Sequence, residues 1–201
     1  MVIVVDYGLG NLGSVFNMVK KLGFEVEISQ CPDKISKADK LILAGVGSFD
    51  NGMIELESRG LIEVLNKAVI IDKVPILGIC LGMQLMTRGS DEGNLSGLAW
   101  IDAYTNKFNL SELPIPHMGW NNIEIKKSSI LFKSNHNKEF RYYFVHSYYV
   151  KCEENSDVLC ESNYGIDFHS AFELGNIFGV QFHPEKSHKF GLTLLNNFLN
   201  N

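Results

Sequence analysis

The sequence predicts an α/β protein with a mixed, largely parallel central sheet flanked by helices. In the first half, short β-branched segments alternate with segments of helical periodicity. The segment 76–79 is apolar on both faces, as expected for a strand in a sheet that is covered on both sides. After Gly97 the chain changes to β-rich segments with turns. A length of 201 residues predicts one domain, residues 1–201.

The first half is predicted to alternate strands and helices, because the hydrophobic period switches repeatedly between two and about 3.6 residues. The predicted elements are, in order, a strand at 2–5, a helix with Val15, Met18, Val19 and Leu22 on one face, strands at 26–29 and 40–43, a helix at about 53–67 with Ile54, Leu61, Ile62 and Leu65 on its apolar face, and a strand at 76–79. This order is typical of βαβ units.

The second half is predicted to form antiparallel strands followed by one helix. The predicted strands lie at 123–125, 142–150, 158–161, 171–174 and 177–182. The apolar residues Leu192, Leu195, Phe198 and Leu199 recur at helical spacing near the end of the chain. That amphipathic helix is expected to pack on the sheet.

Composition and charge argue against several classes of protein. A net charge of −5 without a block of Lys or Arg disfavours a nucleic-acid partner. Five apolar residues before Asp6 are too few for a signal peptide or a membrane span, so we expect a cytoplasmic protein. The four cysteines include no Cys-x-x-Cys pair, which disfavours a zinc cage or a disulfide framework.

A glycine-rich turn follows the first strand. Residues 8–13 read Gly-x-Gly-x-x-Gly, the pattern of a dinucleotide-binding turn. That fingerprint also needs an acidic residue about twenty positions later, where this chain has Ser29 and Gln30. We therefore favour a loop that bends at a functional edge or a partner surface.

Cys80 lies in the pattern of a nucleophile elbow. It follows the buried strand 76–79 and precedes a helix, with Gly78 and Gly82 two residues away on either side. In such a sharp turn, side chains at these two positions would clash with neighbouring backbone. The turn places the sulfur at a helix N-terminus, which stabilises the reactive thiolate. The other cysteines, Cys31, Cys152 and Cys160, lack this setting and are expected to be inert.

A histidine and a carboxylate that suit a cysteine nucleophile follow a later strand. His183 and Glu185 flank Pro184, and residues two apart in extended chain point the same way. Glu185 can then accept a hydrogen bond from one ring nitrogen while the other faces the sulfur. The alternatives are a solvated pair on a loop, or a metal site formed with His188, which we disfavour because no second ligand cluster is evident.

These motifs together resemble the class I, triad-type glutamine amidotransferases. The segments that carry the resemblance are 78–84 around Cys80 and 181–186 around His183. Four further segments, 6–11, 45–49, 116–121 and 144–149, are similar to the glutaminase subunits of imidazole glycerol phosphate synthases. The motifs stand in family order along nearly the whole chain.

The resemblance implies a glutaminase that needs no cofactor or metal. Cys80 would attack the glutamine amide, His183 would move protons and Glu185 would orient His183. The resemblance also implies an oxyanion hole built from backbone at Leu81 and at the loop of Gly45, Val46 and Gly47.

The resemblance further implies a glutamine-binding site and a partner. The residues matching the family's glutamine-binding positions are Gln84, Glu92, Ser147 and Tyr148. The partner is a (βα)₈-barrel cyclase that accepts ammonia and forms imidazole glycerol phosphate and an aminoimidazole carboxamide ribotide in histidine biosynthesis. Its expected contacts are Asn11, Met118, Trp120, Tyr143 and Lys186. Trp120 could instead belong to the core.

One departure and two rival functions stay open. The family usually has proline before Gly45, where this chain has Ala44, which leaves the resting loop and its activation threshold in doubt. The rivals are a glutaminase that feeds another synthase, as in surface-sugar amidation, and a catalytically silent binding protein of the same fold.

Overall fold

A computed structural model describes residues 1–133 and 140–201 of the chain, which form an eleven-stranded sheet with helices against it. The strands are β1 (Val2–Val5), β2 (Val26–Ser29), β3 (Lys40–Gly45), β4 (Ile76–Cys80), β5 (Ala103–Lys107), β6 (His117–Ile125), β7 (Phe140–His146), β8 (Tyr148–Cys152), β9 (Val158–Asn163), β10 (Asp167–Leu174) and β11 (Ile177–Val180). The helices are α1 (Leu12–Lys21), α2 (Pro32–Ile35), α3 (Phe49–Ser58), α4 (Leu61–Asn66), α5 (Leu81–Leu85) and α6 (His188–Leu199). A π-helical turn (Lys67–Ile71) extends α4, and 3₁₀ turns lie at Ile130–Phe132, Asn155–Asp157 and Pro184–Lys186.

The predicted mixed sheet is confirmed, and its parallel part consists of five strands. These run in the order β2-β1-β3-β4-β11. The sheet continues antiparallel through β10, β9, β6 and β7, and β5 and β8 pair with each other beside β10. β11 was predicted among the antiparallel strands, but it is parallel to β4 and antiparallel only to β10. The strand that carries Cys80 is thus central, with a parallel neighbour on each side.

The two faces of the parallel strands pack against different helices. Successive side chains of a strand point to opposite faces, so Val2 and Val4 of β1 join one core cluster and Ile3 and Val5 join the other. The first cluster includes residues of α1 and α6, and the second includes residues of α3, α4 and α5. Both faces of the sheet are therefore covered, as the apolar strands predicted.

The prediction of one continuous helix at 53–67 is wrong. The structure has two helices separated at Gly60, whose φ of +65° is one that other residues rarely adopt. Ile54, placed on the apolar face in the prediction, is half exposed, because α3 begins at Phe49 and buries Phe49, Met53 and Leu56.

The predicted strand at 142–150 is also divided. β7 and β8 are separated at Ser147 and pair with different neighbours, β6 and β5 respectively. This break brings residues 145–148 to the edge of the cavity described below. Among residues 1–133 and 140–201, no helix is long and apolar enough to cross a membrane.

Candidate active site

Cys80 occupies a strained turn between β4 and α5. Its φ of +53° and ψ of −110° are unusual for a residue with a side chain. A Cβ at Gly78 would lie 2.8 Å from the backbone nitrogen of Met83, and one at Gly82 would lie 1.7 Å from the carbonyl oxygen of Leu43. Neither position admits a side chain, which is the packing expected of a nucleophile elbow.

His183 and Glu185 form a buried pair just after β11. Nδ1 of His183 lies 2.6 Å from Oε1 of Glu185, and only 2% of the His183 side chain is exposed. The backbone N–H of His183 donates to the carbonyl of Tyr143, and the hydroxyl of Ser187 donates to the carbonyl of His183. These bonds hold the imidazole between the carboxylate and the elbow.

The charge state of His183 follows from its two neighbours. Burial disfavours the imidazolium, but interactions with Cys80 and Glu185 outweigh burial and raise the pKa of His183 to about 10. The imidazole is therefore protonated at neutral pH. Since Glu185 engages Nδ1, Nε2 is the ring nitrogen that is available to exchange a proton at Cys80.

A cavity of about 290 Å³ lies beside Cys80. The expected site residues in its lining are Val46, Gly47, Leu81, Gln84, Glu92, Ser147 and Tyr148. Pro116, Val145 and His146 also line it, and they were not expected from the sequence. The volume is at the lower end of small-molecule sites, which suits a ligand of amino-acid size.

The loop expected to supply oxyanion donors begins at Gly45, which pairs with Cys80 across β3 and β4. A Cβ on Gly45 would lie 1.7 Å from the hydroxyl of Tyr7, and Gly47 has a φ of +131°. Gly10 packs on the same loop, since a Cβ added at this position would lie 2.9 Å from Cα of Gly45. The glycine-rich turn at 8–13 is therefore packed against the edge of the site, one of the two roles favoured from the sequence.

The residues expected to bind glutamine have distinct surroundings. Glu92 is half-buried, and its Oε2 accepts a hydrogen bond from the backbone N–H of Phe49 at the start of α3. Gln84 is buried, and its Nε2 lies 3.3 Å from the carbonyl oxygen of Tyr148. Ser147 and Tyr148 are half-buried at the break between β7 and β8.

Sequence reasoning missed three buried polar residues near the cavity. Nε2 of Gln181 lies 3.6 Å from Sγ of Cys80. Nδ1 of His117 lies 2.9 Å from Nε2 of His146, and Nδ1 of His146 lies 2.7 Å from the carbonyl oxygen of Tyr148. The signal for Gln181 was a single polar residue between Val180 and Phe182 in an otherwise apolar strand.

Four of the five expected partner contacts lie in an exposed patch, here called the aromatic patch: Met118, Trp120, Tyr143 and Lys186. Trp120 is 44% exposed and Met118 is 61% exposed, so Trp120 is not a core residue. The Trp120 ring lies 6.4 Å from that of Tyr143, and Nζ of Lys186 lies 5.7 Å from the ring of Tyr143. The fifth, Asn11, is exposed immediately before α1.

The remaining cysteines occupy different settings from Cys80. Cys31 is exposed, and Cys152 and Cys160 are buried. Burial raises the pKa of the Cys152 thiol to about 12 and also raises that of Cys160, which keeps both as unreactive thiols.

The sequence is similar to those of imidazole glycerol phosphate synthase subunits from several organisms. The chain is 54% identical to imidazole glycerol phosphate synthase subunit HisH 2 of Methanococcus maripaludis, over 99% of this chain and 98% of that protein. It is 45% identical to subunit HisH of Bdellovibrio bacteriovorus, over 98% of each chain. It is 44% identical to subunit HisH 2 of Pseudomonas aeruginosa, over 99% of this chain and 98% of that protein.

Solved structures share the fold at low sequence identity. A chain of PurLQS from Thermotoga maritima superposes with a TM-score of 0.74 at 15% identity, covering 99% of this chain and 97% of that one. The family model described as glutamine amidotransferase class-I matches residues 3–201. The chain therefore belongs to the class-I glutamine amidotransferase family.

Proposed function

We propose that this chain is the glutaminase subunit of imidazole glycerol phosphate synthase. It hydrolyses glutamine to glutamate and passes the ammonia to a (βα)₈-barrel cyclase in histidine biosynthesis. The observation that carries the proposal is the strained Cys80, which lines the cavity and interacts with His183, whose Nδ1 is bound by Glu185. The names of the HisH relatives support the choice of synthase. A biosynthetic role of this kind implies a cytoplasmic location.

The first chemical stage releases ammonia. The Cys80 thiolate attacks the side-chain amide carbon of glutamine, a C–S bond forms and negative charge develops on the amide oxygen. The imidazolium of His183 gives its proton to the departing nitrogen. The C–N bond breaks, ammonia leaves and a thioester remains on Cys80.

The second stage hydrolyses the thioester. His183, now neutral, takes a proton from water while the resulting hydroxide adds to the thioester carbon. The C–S bond then breaks, charge returns to sulfur and the product acid loses its proton to solvent as glutamate. Glu185 stabilises the imidazolium that re-forms, because its carboxylate accepts from Nδ1.

The tetrahedral oxyanion of both stages needs backbone donors. The N–H of Leu81 follows the nucleophile, and the loop of Gly45, Val46 and Gly47 borders the same cavity. Each such donor contributes about 2.7–4 kcal/mol to transition-state stabilisation. The glycines on either side of Val46 allow this loop to change its peptide orientation when the partner binds.

The amino-acid end of glutamine is assigned to the cavity residues Gln84, Glu92, Ser147 and Tyr148. The carboxylate of Glu92 is the partner for the substrate ammonium. The cyclase docks on Asn11 and the aromatic patch, where exposed Trp and Met provide the apolar anchors typical of an interface.

The proposal is tested by glutamate release from the purified chain alone and with a histidine-pathway cyclase from the same organism, with and without its ribonucleotide substrate. We expect strong activation by the loaded cyclase. The Cys80→Ala variant should lose glutamine-dependent synthesis and keep ammonia-dependent synthesis. Loss of both would show that the substitution disrupts assembly, and silence of the wild-type chain with every cyclase mixture would contradict the proposal.

A second candidate keeps the glutaminase and changes the acceptor. Two of the relatives carry the number 2 in their names, which fits organisms with more than one such subunit. Glutaminase activity that ignores the histidine-pathway cyclase would favour another synthase, such as one that aminates a surface sugar.

A further inference from the structure

We propose that Gln181 is a further catalytic residue, whose side-chain amide donates a hydrogen bond to Sγ of Cys80 and stabilises the thiolate. Nε2 of Gln181 lies 3.6 Å from that sulfur, and the Gln181 side chain is fully buried. Its part in catalysis rests on the proposed glutaminase function. The contact itself belongs to the resting structure and can be tested without substrate.

The orientation of the Gln181 amide follows from a series of hydrogen bonds that starts at the backbone carbonyl of Tyr148 and passes through Gln84. The carbonyl oxygen of Tyr148 can only accept, so Gln84, at 3.3 Å, must present its amino group there. The second N–H of that amino group donates to Oε1 of Gln181 at 3.1 Å. With its oxygen engaged by Gln84, Gln181 turns its own amino group toward the sulfur.

The Tyr148 carbonyl is itself held in place. Nδ1 of His146 donates to it at 2.7 Å, and Nε2 of His146 accepts from His117 at 2.9 Å. The backbone N–H of Gln181 donates to the carbonyl of Ser170, which fixes the strand end. The donor is thus positioned before the reaction begins, as preorganised electrostatic stabilisation requires.

The Gln181 amide supplements His183 as a partner of the sulfur. His183 gives its proton to ammonia in the first stage and regains one from water in the second, whereas the Gln181 amide keeps its hydrogens throughout. The C–S bond then breaks and charge returns to sulfur, where the Gln181 amide is already oriented. Donation to an ionised acceptor is about twice as strong as donation to a neutral one, so the bond favours the leaving thiolate.

The same hydrogen bonds limit which group of the glutamine substrate Gln84 can bind. Both hydrogens of its amino group are engaged, by Tyr148 and by Gln181. Its remaining polar atom is an acceptor, which suits an ammonium and not a carboxylate. Gln84 is therefore also a positioning residue for Gln181.

Two substitutions separate donation from packing. Gln181→Met keeps the length of the side chain and removes the donor. Gln181→Glu keeps an acceptor for Gln84 and replaces the donor with a carboxylate. The readout is the pH dependence of iodoacetamide alkylation at Cys80 in the free chain, followed by mass spectrometry, with exposed Cys31 as an internal reference.

We expect the midpoint of the Cys80 alkylation profile to move upward by about one pH unit in Gln181→Met and further in Gln181→Glu, while that of Cys31 stays in place. The matched control is Gln30→Met, because Gln30 is exposed and bonds only to Arg59 among the described residues. It should shift neither midpoint. With the cyclase present, both Gln181 variants should lose kcat by roughly 10- to 100-fold with KM for glutamine kept within about twofold.

Circular dichroism establishes that each variant is folded, and Gln181→Glu is the variant that preserves the bond to Gln84. A wild-type alkylation profile in either folded variant would overturn the assignment. If both profiles shift but the wild-type chain releases no glutamate with any cyclase, the proposed function and the catalytic role of Gln181 fail, and only its hydrogen bond to Sγ of Cys80 stands. If the wild-type chain is active and the profiles do not move, only the Gln181 assignment fails.

Discussion

Two buried histidines, His183 beside Cys80 and His146 in the cavity lining, differ in their affinity for protons. His183 lies at the end of the parallel strands, where the pKa is raised to about 10. His146 lies in the antiparallel half, where burial, with a smaller contribution from the charge of His183, lowers the pKa of His146 to about 3. Both side chains are almost fully buried, at 2% and 5% exposure. Burial alone therefore does not decide which histidine carries a proton.

The difference arises from the hydrogen-bond partners. His183 has a carboxylate at 2.6 Å and the sulfur of Cys80 nearby, and both favour a positive ring. His146 has a neutral imidazole at 2.9 Å, and a backbone carbonyl that satisfies its single N–H. The first arrangement suits proton transfer, and the second suits holding the Tyr148 carbonyl in place. The hydrogen-bond partner of a buried histidine therefore indicates the role of that histidine better than its depth of burial does.

Replacing His183 should reduce activity more than any other change considered for the two histidine sites. His183→Gln removes the proton carrier, and we expect kcat for glutamine hydrolysis to fall roughly 10²- to 10⁴-fold, measured as glutamate release in the presence of the cyclase. His117→Gln is the matched substitution in the neutral pair and should lower kcat far less. Equal losses in the two variants would contradict the division of roles.

The next effect concerns the charge of Glu185. Glu185→Gln keeps an oxygen that can accept from Nδ1 of His183 but removes the negative charge. We expect kcat to fall on the order of 10- to 100-fold, less than in His183→Gln, because the ring keeps its orientation and loses only its electrostatic support. The pKa of His183, followed by NMR titration, should fall below about 10. An unchanged pKa would show that Cys80 alone raises it.

The sequence predicted the charged pair and not the neutral one, for a physical reason. Cys80, His183 and Glu185 each lie in a local pattern, a strand followed by a turn with glycines or proline, and the chemistry of such a turn can be deduced from neighbouring residues. His117 and His146 meet only because β6 pairs antiparallel with β7 in one register. Register across separate strands depends on the whole sheet and has no local signal.

The fold could be predicted to a similar extent and for similar reasons. The parallel strands were recognisable from their apolar segments, whereas β5 was missed because Ala103–Lys107 carries polar residues at Asn106 and Lys107. The break at Gly60 was missed because helical periodicity continues on both sides of it. A role for Gln181 could not be predicted because Gln84, which orients the Gln181 amide toward the sulfur, is 97 positions away in sequence.

The charged and the neutral histidines should make folding stability depend on pH in opposite directions. His117 and His146 have folded pKa values of about 4 and about 3 against an ordinary value of 6.5, so their contribution is present above pH 6.5 and is lost as pH falls toward 3. His183 has a folded pKa of about 10, so its contribution is present below pH 6.5 and is lost as pH rises toward 10. Each contribution is on the order of a few kcal/mol.

Urea midpoints measured from pH 4 to pH 9 test these signs. His146→Gln should flatten the acid side of the stability profile and leave the alkaline side as in the wild-type chain. His183→Gln should do the reverse. If His146→Gln left the acid slope unchanged, the neutral pair would not be the source of that slope, and the carboxylates would have to account for it.

The smallest expected effect is on cyclase binding at the outer surface of the antiparallel half. β6 buries His117 and exposes Trp120, so one strand contacts the neutral histidine pair on its inner side and carries the aromatic patch on its outer side. Trp120→Ala should raise the Kd for the cyclase roughly 10- to 30-fold, since an exposed Trp is a typical interface anchor. Calorimetry with the cyclase measures this change, and unchanged affinity would remove Trp120 from the interface.

A matched control and a saturation experiment decide what Trp120 does. Ile71 is also exposed and apolar, but it ends the π-helical turn after α4, so Ile71→Ala should leave the Kd unchanged. At saturating cyclase, Trp120→Ala should recover the wild-type kcat if Trp120 only provides binding energy. A kcat that stayed low at saturation would mean that docking on β6 also adjusts the inner side of the strand. In that case the neutral pair would affect catalysis through the Tyr148 carbonyl, and the division between a catalytic pair and a structural pair would have to be replaced by one coupled system.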